Sequence, residues 1–424
     1  MASKTKKNAV YAQSGGVTAV INASAYGVIR AARASGFIGQ LYCGSDGING
    51  VLEERLIDLA QESPDAIEAL RHTPSGAFGT ARRKLQNLEK DRSAFERIVK
   101  VCEAHNIQYF FYNGGNDSMD TVNKLSQFAK SQGYPLQVMG VPKTIDNDLP
   151  ITDNSPGFGS VAKYNALSMM EASLDTEAMS RDSTKVFVME AMGRHAGWIA
   201  ASTGLASRSD NEGPHLMLLP EVPFDEAKFL AAVEGTVKKR GYCTVTVSEG
   251  VQNAEGKFLS EMGGKDAFGH AQLGGAGNII QEIVKEKLKL KVHGANLDYC
   301  QRSARHVASA VDVQQAIACG ERAVALAGEG LSGQMVTIQR DSDQPYRWSL
   351  GHTDAANIAN QEKMIPKDFI REDGYHITDK FRRYCLPLID GEDYPPYQDG
   401  LPAYARLKKA LVPAKLPKWE GKKE

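Results

Sequence analysis

Seven consecutive residues, Pro142-Lys143-Thr144-Ile145-Asp146-Asn147-Asp148, carry two carboxylates, an ammonium, a hydroxyl and an amide directly after the apolar run Leu136–Val141. Asp146 and Asp148 want cations or protons, and Lys143 wants anions. That mixture suits a metal-bound phosphate together with a hydroxyl that must lose its proton. Taken alone, such a string is more often an Asx-turn beside a solvated lysine. Its setting shifts the balance. A strand should stop at Pro142, because proline fixes φ and lacks a ladder donor. The polar residues then fall at the carboxyl edge of a sheet, where open α/β folds bind ligands.

The same device recurs along the chain. Strand candidates Asn8–Gln13, Gln108–Tyr112, Lys185–Glu190 and Cys243–Ser248 run into Ser14-Gly15-Gly16, into Asn113-Gly114-Gly115-Asn116-Asp117-Ser118, into Met192-Gly193-Arg194 and into Glu249. Glycines between strand and helix let the backbone approach a ligand, and a helix start presents N–H groups to an anion. None of these turns carries GxxxxGK[ST] or GxGxxG. Each turn alone is equally explained by helix–strand packing, or by Asp117 or Ser118 as an N-cap. Arg82, near the end of the glycine-punctuated stretch Thr73–Arg83, is either a fork for phosphate oxygens or the solvated start of a helix. Parallel strands joined by helices bring such loops to one sheet edge, and that convergence favours a site over coincidence.

Helical patterns cover Thr18–Ala34, with Gly36 as the expected stop, then Ser93–His105, Gly159–Ser180 and Asp225–Lys239. Gly263–Gly277 is glycine-dense. Asn296–Gln301 should be extended, ahead of two helices over Arg302–Leu326, and Gln334–Gln339 and Tyr346–Leu350 are β-like. The tail from Pro366, rich in proline, tyrosine and basic residues, is expected to be an irregular wrap or an oligomer contact.

Composition narrows the class. A chain of 424 residues has room for two or three domains, and its 40 glycines suit an α/β protein with many tight loops. The net charge of −1, from 50 basic and 51 acidic residues, argues against nucleic-acid binding through bulk charge. Six cysteines without a CxxC pair, and a polar start without a signal peptide, point to reduced thiols in the cytoplasm. The nine histidines show no zinc-ligand spacing with them. No apolar run reaches the ~18–20 residues of a membrane span.

Six motifs in order, SGG (Ser14–Gly16), GGNDS (Gly114–Ser118), PKTIDND (Pro142–Asp148), MGR (Met192–Arg194), SEG (Ser248–Gly250) and YCQR (Tyr299–Arg302), together resemble the phosphofructokinases, specifically their pyrophosphate-dependent branch. The resemblance implies two Rossmann-like α/β lobes with mostly parallel sheets and the active site in the cleft between them. A donor lobe would take residues 1–157 plus about 302–355, and a sugar-phosphate lobe 158–301. Residues 356–424 would form a C-terminal extension on the lobes or at an oligomer contact. The implied reaction moves a phosphoryl group to the 1-hydroxyl of fructose 6-phosphate. By position, Asp146 is the base, and Thr144, Ile145 and Asp146 contact the sugar. Met192, Gly193, Arg194, Glu249, Tyr299, Cys300, Gln301 and Arg302 complete the sugar-phosphate site. Gly15, Gly115 and Arg82 face the donor phosphates. Mg²⁺ is the implied cofactor and a homodimer the expected assembly, with no nucleic-acid or membrane partner.

Two positions bear on the donor. ATP-using relatives have glycine where this chain has Asp117 and Lys143. A carboxylate at 117 would meet the nucleotide's α-phosphate, and two anions about 4 Å apart repel by ~4 kcal/mol at an effective dielectric near about 20. That is roughly three orders of magnitude in binding. Lys143 meanwhile supplies a positive charge for a leaving group that has no adenosine contacts. Asn116 departs from the pattern, since relatives place a Mg²⁺-binding aspartate there. Its amide oxygen and Asp148 are the expected metal ligands, with Asp117 as support. Where relatives send arginines from a neighbouring subunit to the sugar phosphate, this chain has Lys185 and the stretch Lys291–His293. The competing readings are the ATP-dependent enzyme, a non-catalytic regulatory subunit, an NAD or lipid kinase with a similar glycine loop, and a phosphate sensor.

Overall fold

The computed structural model describes residues 6–86, 88–265 and 271–421, with backbone alone at 261–265, 271 and 272. The part of the glycine-dense stretch at 266–270 lies outside the described residues. Strands are β1 (Lys7–Gln13), β2 (Ile38–Gly44), β3 (Leu56–Asp58), β4 (Ile107–Gly114), β5 (Gln137–Pro142), β6 (Val186–Ala191), β7 (Leu216–Leu218) and β8 (Cys243–Ser248). They are followed by β9 (Glu261–Lys265), β10 (Ala271–Leu273), β11 (Val292–Asn296), β12 (Gln334–Asp343) and β13 (Tyr346–Asp354).

Two sheets carry the site. The larger has the order β13-β12-β5-β4-β1-β2-β3, parallel from β12 through β2 with antiparallel edges. The smaller, β11-β6-β8-β7, is parallel throughout. Central strands covered on both faces read as continuous apolar or β-branched runs. Thus β8, CTVTVS, is buried along its whole length, and Val10, Tyr11, Phe110, Phe111 and Val138 fill the cores on the two faces of the larger sheet. Pro142 ends β5 as the last paired residue, opposite Gly114. No helix among the described residues is long and apolar enough to cross a membrane.

Several local expectations are corrected. The first helix spans Ile21–Ala34, because the Thr18 hydroxyl accepts the Val20 N–H and holds a turn ahead of it. It stops at Ser35, whose own hydroxyl bonds the Ala32 carbonyl, so Gly36 contributes no left-handed cap. Asn296–Gln301 is not extended: the strand ends at Asn296 and a short helix covers Asp298–Ser303. A single turn at Arg305–Val307 separates it from the helix Ala310–Gly328. Neither Asp117 nor Ser118 is an N-cap, since the helix Asn116–Ser131 starts after Gly115 and both lie in its first turn. The tail is ordered against the cores. Its Lys408 and Lys409 N–H groups donate to Glu62, and those of Lys415 and Leu416 to the buried Glu54.

Candidate active site

Loops from the carboxyl ends of β1, β4, β5, β6 and β8 open onto one cavity of about 760 Å³. It gathers Gly15, Arg82, Gly115, Asn116, Asp117, Lys143, Thr144, Ile145, Asp146, Asp148, Met192, Arg194, Glu249, Tyr299 and Arg302. Three expected residues do not line it. The Gly193 N–H donates to Glu249 Oε1 at 3.1 Å, and buried Gln301 accepts the Met192 N–H at 3.2 Å, so both shape the wall from behind. Cys300 is exposed on the same short helix, between Tyr299 and Gln301.

On one side the turn Ser14–Gly16 is tied to the stretch carrying Arg82. The Gly15 N–H donates to the Ala81 carbonyl at 3.0 Å, and the Thr80 hydroxyl donates to the Gly15 carbonyl at 2.9 Å. Gly15 has φ +76°, a region open to glycine. The Lys143 ammonium donates to the Gly16 carbonyl at 2.5 Å. A Cβ on Gly16 would stand 3.2 Å from an Arg302 nitrogen and 3.4 Å from one of Arg82. The turn thus holds an ammonium and two guanidinium groups around bare backbone, an arrangement that suits phosphate oxygens. Arg302, expected on the sugar side, reaches this turn too. Its guanidinium lies 3.8 Å from the Tyr299 ring centre, and its buried Nε has no hydrogen-bond partner among the described residues. Asp117 completes this side, paired with Lys84 at 3.1 Å.

The strand-to-loop passage after β5 sets the remaining groups. Thr144 bridges to Gly157, while its hydroxyl donates to Asp146 Oδ2 at 3.2 Å and accepts the Asp146 N–H at 3.1 Å. Burial lowers the Lys143 pKa to about 8, aided by Arg82 and Arg302 and opposed by Asp146. Burial also raises Asp146, against the pull of the Thr144 hydroxyl, Lys143, Arg194 and Arg302. Asp148 is pushed up to about 7, first by burial and then by the negative charges of Asp146 and Glu362. A carboxyl shifted upward is a better proton acceptor when ionised. Glu249 is raised by burial as well, opposed by the Gly193 N–H.

Among the described residues no group of three or more His, Cys, Asp or Glu side chains could hold a metal ion. Mg²⁺ carried on phosphates needs only one or two protein carboxylates, and it suits a crowded anionic pair. Asp148 fits that role. Asn116 fits less well, because its amide oxygen already accepts the Asp117 N–H at 2.8 Å.

Among the lining residues that the sequence did not flag are Lys84, His195, Asp298, Asn360 and Glu362. Lys84 follows a basic pair taken as a helix start, and His195 follows the MGR motif, so adjacency could have flagged both. Asn360 and Glu362 come from a tail without motifs, and no sequence signal marks them. Glu362 accepts from or pairs with His195 Nδ1 at 2.8 Å and raises its pKa. Within the chain, Lys185 donates to the Ser180 and Arg181 carbonyls, and Lys291 to the Ser183 hydroxyl.

The family model described as Phosphofructokinase matches residues 8–327. The chain is 56% identical over 414 residues to the pyrophosphate–fructose 6-phosphate 1-phosphotransferase of Halomonas elongata, covering 97% of this chain and 99% of the relative. The crystal structure of a pyrophosphate-dependent phosphofructokinase from Nitrosospira multiformis superposes with a TM-score of 0.90 at 56% identity, over 97% of this chain and 99% of that one. An ATP-dependent 6-phosphofructokinase of Mycobacterium tuberculosis is more distant, 30% identical over 324 residues, or 76% of this chain and 86% of its own.

Proposed function

The chain belongs to the phosphofructokinase family, and from that premise we infer that it moves a phosphoryl group from pyrophosphate to the 1-hydroxyl of fructose 6-phosphate, reversibly. The products are fructose 1,6-bisphosphate and phosphate. The observation that carries this reading is that Asp117, Lys143 and Asp146 line one cavity together with the Gly15 turn. In it, Asp146 accepts the hydroxyl proton while the oxygen attacks phosphorus and the phosphate leaves. Lys143, Arg82 and Arg302 hold the donor and the departing oxygen, where developing charge is stabilised most. Arg194 and Glu249 orient the sugar phosphate and its hydroxyls. Asp117, pinned by Lys84, stands where a nucleotide's α-phosphate would need room and neutrality.

Mg²⁺ bound on the donor beside Asp148 would screen the phosphoryl oxygens as negative charge accumulates. The larger sheet and its loops form the donor lobe in this reading, and the β6–β8 sheet the acceptor lobe. A cytoplasmic homodimer accompanies it; the six free cysteines, five of them buried, suit a reducing compartment.

The test supplies purified protein with fructose 6-phosphate and Mg²⁺, and either pyrophosphate or ATP. Bisphosphate should form with pyrophosphate. Product from ATP alone would overturn the donor, and product from neither would remove the enzyme. The Asp117→Gly, Lys143→Gly pair should lose pyrophosphate use and gain measurable ATP use.

A further inference from the structure

We propose that the C-terminal arm is a working part of the active site, with Tyr384 and Lys363 as positioning residues that hold the Asp146–Asp153 loop in its reactive shape. This rests on the reading of Asp146 as the base. Both residues lie beyond the segment that carries every motif of the site.

Asn147 separates the two carboxylates, is fully buried, and takes φ +54°. Its side chain points away from the cleft into a closed network. Asn147 Nδ2 donates to the Tyr384 hydroxyl at 2.9 Å, and that hydroxyl donates to the Asp153 carbonyl at 2.7 Å. The Ser155 N–H donates to Asn147 Oδ1 at 3.2 Å. Tyr384 is fixed in turn by Arg340, whose guanidinium lies between the rings of Tyr346 and Tyr384 at 4.8 and 4.7 Å and forks onto Asp153 at 3.0 Å twice. Lys363 adds three ties. Its N–H donates to the Asp148 carbonyl at 2.7 Å, and its ammonium to the carbonyls of Thr152 and Asp153 at 3.1 and 2.8 Å.

The chemistry explains why such fastening is needed. Two adjacent carboxylates repel, and a loop free to move would turn them apart toward water. A buried, fully satisfied polar network specifies one conformation. Displacing a reacting group by about 1 Å costs on the order of 10²-fold in rate.

Tyr384→Phe keeps the ring on Arg340 and removes only the hydroxyl. It should lower kcat by ~10–100-fold while KM for both substrates stays within about threefold. Lys363→Met, which keeps an unbranched side chain and removes the ammonium that ties the loop and lies 5.3 Å over the Trp198 ring, should act in the same sense. In an Asn147→Gly background, which tolerates the left-handed backbone, Tyr384→Phe should cost less than about twofold more. A merely structural role would lower the melting temperature and leave kcat per folded molecule unchanged; that result overturns the proposal. So do independent, multiplying losses in the double variant. Asp146→Asn separates the premise: retained transfer there removes the assigned base, whereas a dead Asp146→Asn beside a wild-type kcat in Tyr384→Phe removes the positioning role alone.

Discussion

The two edges of the cleft hold acidic groups by different means, although burial raises a carboxyl on each, Glu249 on one and Asp146 and Asp148 on the other. At the smaller sheet, acidic groups are clamped by backbone amides: Glu190 accepts the N–H groups of Gly275 and Gly277 at 3.0 and 2.8 Å, and Glu249 accepts that of Gly193. The Ser248 hydroxyl closes this turn by donating to the Gly193 carbonyl at 2.6 Å. At the larger sheet, buried Lys143 and half-buried Asp146 and Asp148 crowd into one corner, and each is pushed toward its neutral form. One edge is a preformed template. The other holds charges that a bound phosphate and cation would relieve, which is where a site gains differential stabilisation of the reacting state.

Asp146→Asn tests the contrast most sharply. Removing a general base typically costs ~10²–10⁴-fold in rate, so kcat should collapse with KM for fructose 6-phosphate little changed. Because the carboxyl is raised above its ordinary value, its ionised form opposes folding at neutral pH. Melting temperature should therefore rise. A variant that is both active and less stable would erase the distinction between the edges.

Lys143→Met should follow in size. Loss of a preorganised donor to developing charge costs ~10²–10³-fold, read here in kcat/KM for pyrophosphate. The shift from 10.5 to about 8 corresponds to roughly 3 kcal/mol at ~1.36 kcal/mol per unit. The variant should be more stable at pH 7 by up to that order, measured by denaturant unfolding.

Glu249→Gln sits on the template side and should do less. The amide still accepts the Gly193 N–H but binds sugar hydroxyls less strongly than a charged acceptor. KM for fructose 6-phosphate should rise by about tenfold with kcat nearly unchanged, the signature of lost uniform binding.

What could be read from the sequence follows the same division. Strand–glycine–helix turns are local devices: each alone was equally explained by packing or a turn, and Gly15, Gly115, Asp146 and Arg194, which line the cavity, were singled out by their shared place at strand ends and by the ordered set of motifs. Side chains that approach from distant segments were not. Glu362 and Asn360 reach the cleft through tertiary packing of an irregular arm, whose position depends on Trp198 N–H donating to the Lys363 carbonyl and on the aromatic cluster of Trp198, Phe369, Phe381 and Tyr384. The stretch Asn296–Gln301 was misread as extended; from Asp298 it belongs to the six-residue helix Asp298–Ser303, too short for its periodicity to show.

The smallest expected effect is one of pH, and its sign follows from the direction of each shift. Asp148 in the folded protein titrates near about 7, above its ordinary 3.8, so the folded state holds the extra proton between those values and stability falls as pH rises through that window. Lys143 titrates near about 8, below its ordinary 10.5, so the unfolded chain holds the extra proton there and stability rises with pH across that range. Both penalties are at full size together only between about pH 7 and 8, where both groups are charged in the folded state; outside that window one of them is only partly developed. The difference in melting temperature between wild type and Lys143→Met should be largest below about pH 8 and vanish toward pH 10.5, while that for Asp148→Asn should appear only above the carboxylate range. Saturating Mg²⁺ and pyrophosphate should flatten both profiles, since the bound charges satisfy the same corner. Glu249→Gln should keep the wild-type response near pH 7–8, because its edge is satisfied by backbone before any ligand arrives. Profiles that ignore pyrophosphate would mean that the crowded charges are structural, and the two edges would then differ only in composition.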